Sequence, residues 1–205
     1  MNASSITTLF LDIGGVLLTN GWDQKLRKQT ADHFGLDFEE MSSRHHITYD
    51  TYENGKSSWD EYLEKIIFYQ PRDFSYADVK RYILEAARPL QDTIDLIRRV
   101  RSVYQLKVVV VSNEGRELAM DRIERFQLSE FVDFFVVSAF VHFRKPDLDI
   151  YRLALDVAQV KPEQVAYIED RDLLVEVASK LGISGISHRN EEGTRQELAK
   201  LGLKL

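Results

Sequence analysis

The sequence predicts an α/β fold, an open parallel sheet with helices on both faces and a small helical cap inserted near the N-terminus. Two observations carry that prediction. From residue 89 onward, short apolar runs alternate with helical periods, which specifies parallel strands joined by crossover helices. Residues 23–88 are helical throughout and hold no strand pattern. The core is therefore read as residues 1–20 and 89–205, and the cap as residues 21–88.

Taken in order, residues 8–13 are an apolar run that ends in Asp12 and then two glycines, as a buried strand stopping at a tight turn does. Asn20-Gly21 reads as a hairpin turn between Leu17-Leu18 and Trp22. In the cap, Leu26, Thr30, Ala31 and Phe34 mark a helix stopped by Gly35. Ser58 with Glu61, and Ser75 with Asp78, are capping boxes that open two more. Their apolar stripes are Trp59, Tyr62, Leu63, Ile66 and Ile67 in one, and Val79, Tyr82, Ile83 and Ala86 in the other. After Pro89 the expected order is helix 92–103, strand 107–112, a helix, strand 134–138, helix 148–157, strand 165–169, helix 173–181 closed by Gly182, and strand 183–187. Thr194 and Glu197 read as the cap of a last helix. The run Lys-Val-Val-Val-Val-Ser at 107–112 has the composition of a strand buried on both faces.

Composition narrows the function. A length of 205 residues with 44% hydrophobic content suits one full core plus a small module. The net charge of -6 argues against a nucleic-acid role spread over the surface, while leaving room for a small anionic ligand held by a few local cations. With no cysteine, disulfides, thiolate metal sites and cysteine nucleophiles drop out. No apolar run approaches the ~18 residues of a membrane span, and the first residues lack the pattern of a signal peptide. The expectation is a cytoplasmic protein with neither membrane nor nucleic-acid partners, its oligomeric state left open.

In open parallel sheets, ligands bind beyond the C-terminal strand ends. The first strand delivers Asp12 there, and the second Ser112-Asn113 ahead of a helix. Arg144-Lys145-Pro146 follows the third, and the fourth delivers Glu169-Asp170. Singly, each is what a turn, an N-cap or a loop also uses. Together they supply a carboxylate nucleophile, two further acids for a hard cation, a hydroxyl and amide at a helix start, and a lysine. Handling a phosphoryl group requires that set.

The stretches Leu-Asp12-Ile-Gly-Gly-Val, Val-Ser112-Asn, Arg-Lys145-Pro-Asp and Ile-Glu169-Asp170 resemble, in order and spacing, the motifs of the haloacid dehalogenase-like superfamily, whose core is Rossmann-like. The helical insertion falls where that family carries its small cap, and the resemblance covers essentially the whole chain. It implies the following roles. Asp12 attacks the substrate and forms a covalent aspartyl intermediate. Ser112 and the Asn113 amide bind the transferring group, and Lys145 neutralises charge. Glu169 and Asp170, with Asp12 and the Gly14 carbonyl, hold a magnesium ion (Mg²⁺). Gly14 and Asn113 border the substrate, a small phosphorylated metabolite such as a sugar phosphate.

One position departs from that pattern. Phosphatases of the family carry a second Asp two residues after the nucleophile as acid and base, and here that residue is Gly14. A glycine still offers a backbone carbonyl to a metal but cannot move a proton, an aid worth ~10²–10⁴ in rate. Three readings stay open: a phosphatase with weakened activity, a non-catalytic phospho-ligand-binding module, and a dehalogenase-type enzyme, against which the acidic pair Glu169-Asp170 weighs. His142, where the family has a small residue, is either a source of the missing proton or a surface loop residue. Adjacent His45 and His46 point apart on a helix and are not expected to share a metal. Tyr49, Tyr52 and Trp59 line a pocket or fill the cap core. Asp172 is read as a helix cap or a support to the metal site. Arg98, Arg99 and Arg101 are read as a solvated helix face.

Overall fold

The structure, a computed structural model, describes residues 5–205. Five parallel strands form one sheet in the order β3-β2-β1-β4-β5. They are β1 (Thr8–Leu11), β2 (Lys107–Ser112), β3 (Phe134–Val137), β4 (Val165–Glu169) and β5 (Ser184–Ser187). The valines of β2 divide by alternation. Val108 and Val110 enter one apolar cluster and Val109 and Val111 the other, so the strand is buried on both faces as its composition demands. On the first face lie α5 (Gln91–Tyr104), α6 (Arg116–Arg125) and α10 (Glu191–Lys200). On the second lie α8 (Leu148–Ala158) and α9 (Asp172–Ser179). A one-turn helix, α7 (Ser138–Val141), follows β3, so that strand ends a residue earlier than its sequence suggests.

Register decides what gathers at the sheet edge. Leu11 pairs with Val110 on one side and Ile168 on the other. Asp12 therefore emerges level with Glu169, and Ser112 only a residue further on.

Four helices lie between β1 and α5: α1 (Gln24–Phe34), α2 (Phe38–Glu53), α3 (Trp59–Ile66) and α4 (Tyr76–Ala86). They enclose an apolar cluster of their own, built on Leu26, Met41, Tyr52, Trp59, Tyr62, Leu63, Ile66, Val79 and Ile83. Both capping boxes form, with Ser58 and Ser75 each accepting from the backbone three residues on and receiving the acid's reach in return. Gly35 ends α1 in the left-handed conformation. Trp59 belongs wholly to this cluster, whereas Tyr52 belongs to it and also closes on the sheet-edge loops. The Tyr52 ring occupies the space a Cβ on Gly115 would need, which only glycine leaves free.

Two expectations are corrected. Asn20-Gly21 makes no hairpin. The chain turns back earlier, where Leu17 and Leu18 both donate to the Ile13 carbonyl, and Leu18 then bridges to Pro89. That earlier turn already returns the chain, so Asn20-Gly21 becomes the crossing from core to cap. Thr194 does not cap α10, because Asn190 holds the cap position and accepts from Gly193 N. Thr194 is instead buried, with its hydroxyl 2.7 Å from His188 Nδ1.

Candidate active site

The strand-end loops bring together the acids and the lysine that the sequence singles out. Lys145 is buried, with Nζ 2.7 Å from Glu169 Oε2, 3.1 Å from Asp12 Oδ1 and 3.2 Å from the Tyr167 hydroxyl. Tyr167 donates its proton to the same Glu169 oxygen, and the Arg171 amide donates to Glu169 Oε1 at 3.2 Å. Asp12, Glu169 and Asp170 each offer an oxygen within 4.8 Å of the others. Asp170 Oδ1 is buried with no hydrogen-bond partner among the described residues. An orphaned buried carboxylate oxygen facing two more carboxylates is the donor set a hard divalent cation takes. The backbone allows this approach at Gly15, whose φ is 73° and where a Cβ would fall 2.2 Å from Asp170 Oδ2.

Electrostatics follow from burial. Desolvation pushes the Asp12 carboxyl above the usual carboxylate range. Lys145 opposes that, the Glu169 charge adds to it, and hydrogen bonds from Ser112 and Lys145 pull back. Burial alone would lower the Lys145 ammonium, but Asp12 and Glu169 outweigh it and hold the group firmly protonated. The lysine is thus a buried cation set between two carboxyl groups.

Ser112 is buried and bonded to Asp12. Asn113 does not cap a helix, since α6 starts at Arg116 behind Gly115. Its side chain ties two loops together, donating to the Lys145 carbonyl and accepting from the Lys145 amide, each at 2.8 Å. Gly14 lies outside the left-handed region, so its backbone would accept a side chain.

A cavity of roughly 300 Å³ spans the space between these loops and the cap, at the small end of the range for ligand sites. Asp12, Gly14, Ser112, Asn113 and Lys145 line it from below. The cap side is formed by Tyr49 and Tyr52, which the sequence offers as pocket residues, and by Trp22, Arg27, His45, Glu53 and Tyr62, which sequence reasoning passed over or treated as packing. There Trp22 Nε1 donates to the Tyr62 hydroxyl at 2.8 Å, and that hydroxyl lies 2.6 Å from His45 Nδ1. Burial, with Arg27 nearby, keeps the ring neutral down to about pH 4. Arg27 donates with Nη1 to the Trp22 carbonyl and has a buried Nε without a partner among the described residues. Arg144 binds Asp50 and Glu53 of α2, each at 2.7 Å, so the loop that carries Lys145 also holds the cap.

Five other residues fall away from the site. His142 does not line the cavity; it is exposed, has φ 62°, and sets Nδ1 2.7 Å from the Asn54 carbonyl. A left-handed residue explains why a small one suits that position. Asp172 is the first residue of α9, exposed and paired with Arg189 at 2.6 Å, so it neither caps the helix nor supports the acids. His46 is exposed and does not line the cavity. Arg98 and Arg101 pair with Glu130 and Asp133 on the surface, as a solvated face does.

Fold and site define a capped α/β protein with a buried lysine–carboxylate centre at its strand ends. A haloacid dehalogenase-like hydrolase family model matches residues 6–180, and the chain belongs to that family. The chain is 28% identical over 121 residues to a phosphorylated carbohydrates phosphatase of Thermotoga maritima. That match spans 58% of this chain and 56% of the relative, little more than half of its length. Among solved structures, a predicted HAD-like family hydrolase from Porphyromonas gingivalis superposes with a TM-score of 0.78 at 22% identity, covering 98% of this chain and 100% of its own. A HAD family enzyme of Bacteroides thetaiotaomicron, in complex with magnesium and inorganic phosphate, has a TM-score of 0.76 at 18% identity, covering 90% and 94%. Among the described residues, no helix is long and apolar enough to cross a membrane.

Proposed function

We propose that this hydrolase is a magnesium-dependent phosphatase of a small phosphorylated metabolite, with a carbohydrate phosphate the best-fitting class. The observation that carries the reading is Lys145 wedged between Asp12 and Glu169 with the free Asp170 oxygen alongside, under a small cavity. We read residues 21–88 as the cap domain of that site. Asp12, Glu169 and Asp170, with the Gly14 carbonyl, would hold Mg²⁺, whose part when bound is to offset phosphoryl charge. Asp12 attacks phosphorus and carries the phosphoryl group as an aspartyl phosphate. Lys145 keeps Asp12 ionised against its burial and offsets charge on the phosphoryl oxygens. Ser112 and the Asn113 amide orient those oxygens. Arg27, a donor, and the His45 ring interleave with acceptors (Asp23, Glu53) along the cap wall, which suits hydroxyl groups. The name of the Thermotoga relative and the magnesium and phosphate of the Bacteroides structure support the same class.

Gly14 favours a second reading, a module that binds a phospho-ligand without turning it over. One experiment separates the two. Purified protein is offered a panel of sugar phosphates and aryl phosphates with Mg²⁺, and then with excess chelator. Hydrolysis that needs Mg²⁺, and that Asp12→Asn lowers on the order of 10⁴-fold or more while the protein stays folded, is the expected result. A rise in melting temperature with Mg²⁺ or phosphate, without turnover of any member of the panel, would instead establish binding alone. Full activity in chelator would remove the metal from the mechanism.

A further inference from the structure

Position 14 has no side chain, yet the space it would address is occupied. A Cβ on Gly14 would lie 2.8 Å from Asn20 Oδ1. The neighbouring Gly21 faces Arg122, whose Nη1 is 2.9 Å from where a Gly21 Cβ would stand. Arg122 is fully buried and uses Nη2 on the Thr19 carbonyl and Nη1 on Glu114 Oε1. The Glu114 carboxylate is thus held, through Arg122, against residues 19–21, the segment toward which a side chain at position 14 would point. Glu114 lines the same cavity as Asp12 and Asn20, and its Oε2 is buried without a hydrogen-bond partner among the described residues. An orphaned buried carboxylate oxygen costs free energy, so the Arg122 pair alone leaves Oε2 open to a ligand group.

We propose that Glu114 supplies the acid and base function that Gly14 cannot, a role that rests on the phosphatase reading above. In the first step Asp12 Oδ forms a bond to phosphorus as the bond from phosphorus to the substrate oxygen breaks. The Glu114 carboxyl gives its proton to that departing oxygen and becomes a carboxylate. In the second step a water oxygen bonds to phosphorus and the bond from phosphorus to Asp12 breaks. Glu114 takes the water proton, and both carboxyls return to their starting states.

The local charges suit the role. Burial pushes Glu114 up to about 7, Arg122 from α6 opposes this, and Asp12 at the end of β1 and Glu53 on α2 reinforce it, with Tyr52 also alongside. A group in that range is present in both forms near neutrality, as an acid that becomes a base must be. When the three carboxylates share a cation, Asp12 pushes less and the value falls.

The test compares Glu114→Gln with the native protein on an alkyl phosphate, whose leaving oxygen needs a proton, and on p-nitrophenyl phosphate, whose leaving group does not. Gln keeps an oxygen for Arg122 but has no acidic proton. Expected is a loss of ~10²-fold or more on the alkyl substrate and a far smaller loss on the aryl one. The native alkyl profile should also fall at alkaline pH as Glu114 ionises, a limb the variant lacks. Equal slowing of both substrates marks a structural pair and overturns the proposal, as does unchanged alkyl hydrolysis. In the metal-free protein, carbon-13 spectra of labelled glutamates should contain a carboxyl titrating near 7 that is missing from Glu114→Gln. Its absence overturns the proposal as well. Should Glu114→Gln not fold, Gly14→Asp decides, because a second acid adds less than about threefold where one already serves, and a gain near 10²-fold means that none did. No Asp12-dependent hydrolysis of the aryl ester defeats the phosphatase reading and takes this proposal with it. Aryl hydrolysis without leaving-group dependence defeats the proposal alone.

Discussion

The two walls of the cavity are built differently. Below, at the strand ends, the polar groups are held almost without freedom, since Lys145, Asp12 and Glu169 are all buried and the lysine binds both acids. Above, in the cap, Arg27, His45 and Glu53 are half-buried groups on helices, beside a hydrogen-bond relay from Trp22 through the buried Tyr62 to His45. The lower wall suits what every phosphomonoester shares, and the upper wall suits what differs between them. A rigid charged centre and an adjustable polar roof also pay for damage unequally, since an uncompensated buried charge costs more than a lost half-exposed hydrogen bond.

The sharpest way to break this comparison is Lys145→Met. It leaves Asp12 and Glu169 facing each other without their cation, and should cost about 3–5 kcal/mol of stability. Urea denaturation measures this, and Mg²⁺ should return part of it by binding only the folded carboxylate cluster. A loss under about 1 kcal/mol would mean that the lower wall is no more rigid than the upper.

A smaller effect belongs to the cap. Arg27→Gln removes a cap-wall guanidinium that makes no ion pair among the described residues, and should lower kcat/KM for the best sugar phosphate about tenfold to a hundredfold, mainly through KM. The Mg²⁺ concentration for half-maximal activity should not move. If kcat and the Mg²⁺ requirement shift together, the division of labour between the walls is wrong.

The smallest is Tyr62→Phe. It keeps the stacked pair with Tyr52, whose ring centroids are 4.5 Å apart, and deletes only the relay hydroxyl. About 1 kcal/mol of stability should go, read as a modest fall in melting temperature. A loss several times larger would place the relay among the rigid parts of the molecule.

Local pattern made most of the scaffold legible. Lys107–Ser112 and Val165–Glu169 are strands with the bounds that composition predicts, because a β-branched run between turn residues has few other stable conformations. Ser58 and Ser75 cap their helices because the oxygen and the amide it accepts from are only three residues apart. Asp12, Lys145, Glu169 and Asp170 were visible as candidates because parallel strands deliver their C-terminal residues to one edge. Failures occurred where a local signal had a competitor: Asn20-Gly21 lost to the earlier Ile13–Leu18 turn, and Thr194 lost the cap to Asn190.

By itself, then, the sequence determined the order of strands and helices, the place of the inserted helices and the residues at the strand ends, all fixed by interactions within a few positions of chain. Only the tertiary structure decided which helix faces meet the cavity, and so brought Arg27, His45 and Glu53 over Asp12 and set Arg144 against α2. It alone joined Glu114 to Thr19 through a buried arginine on another helix and turned His142 away toward Asn54. The physical reason is range. A hydrogen bond to the third residue along is written in the local sequence, whereas contacts between residues tens of positions apart exist only once the sheet and both apolar clusters have packed.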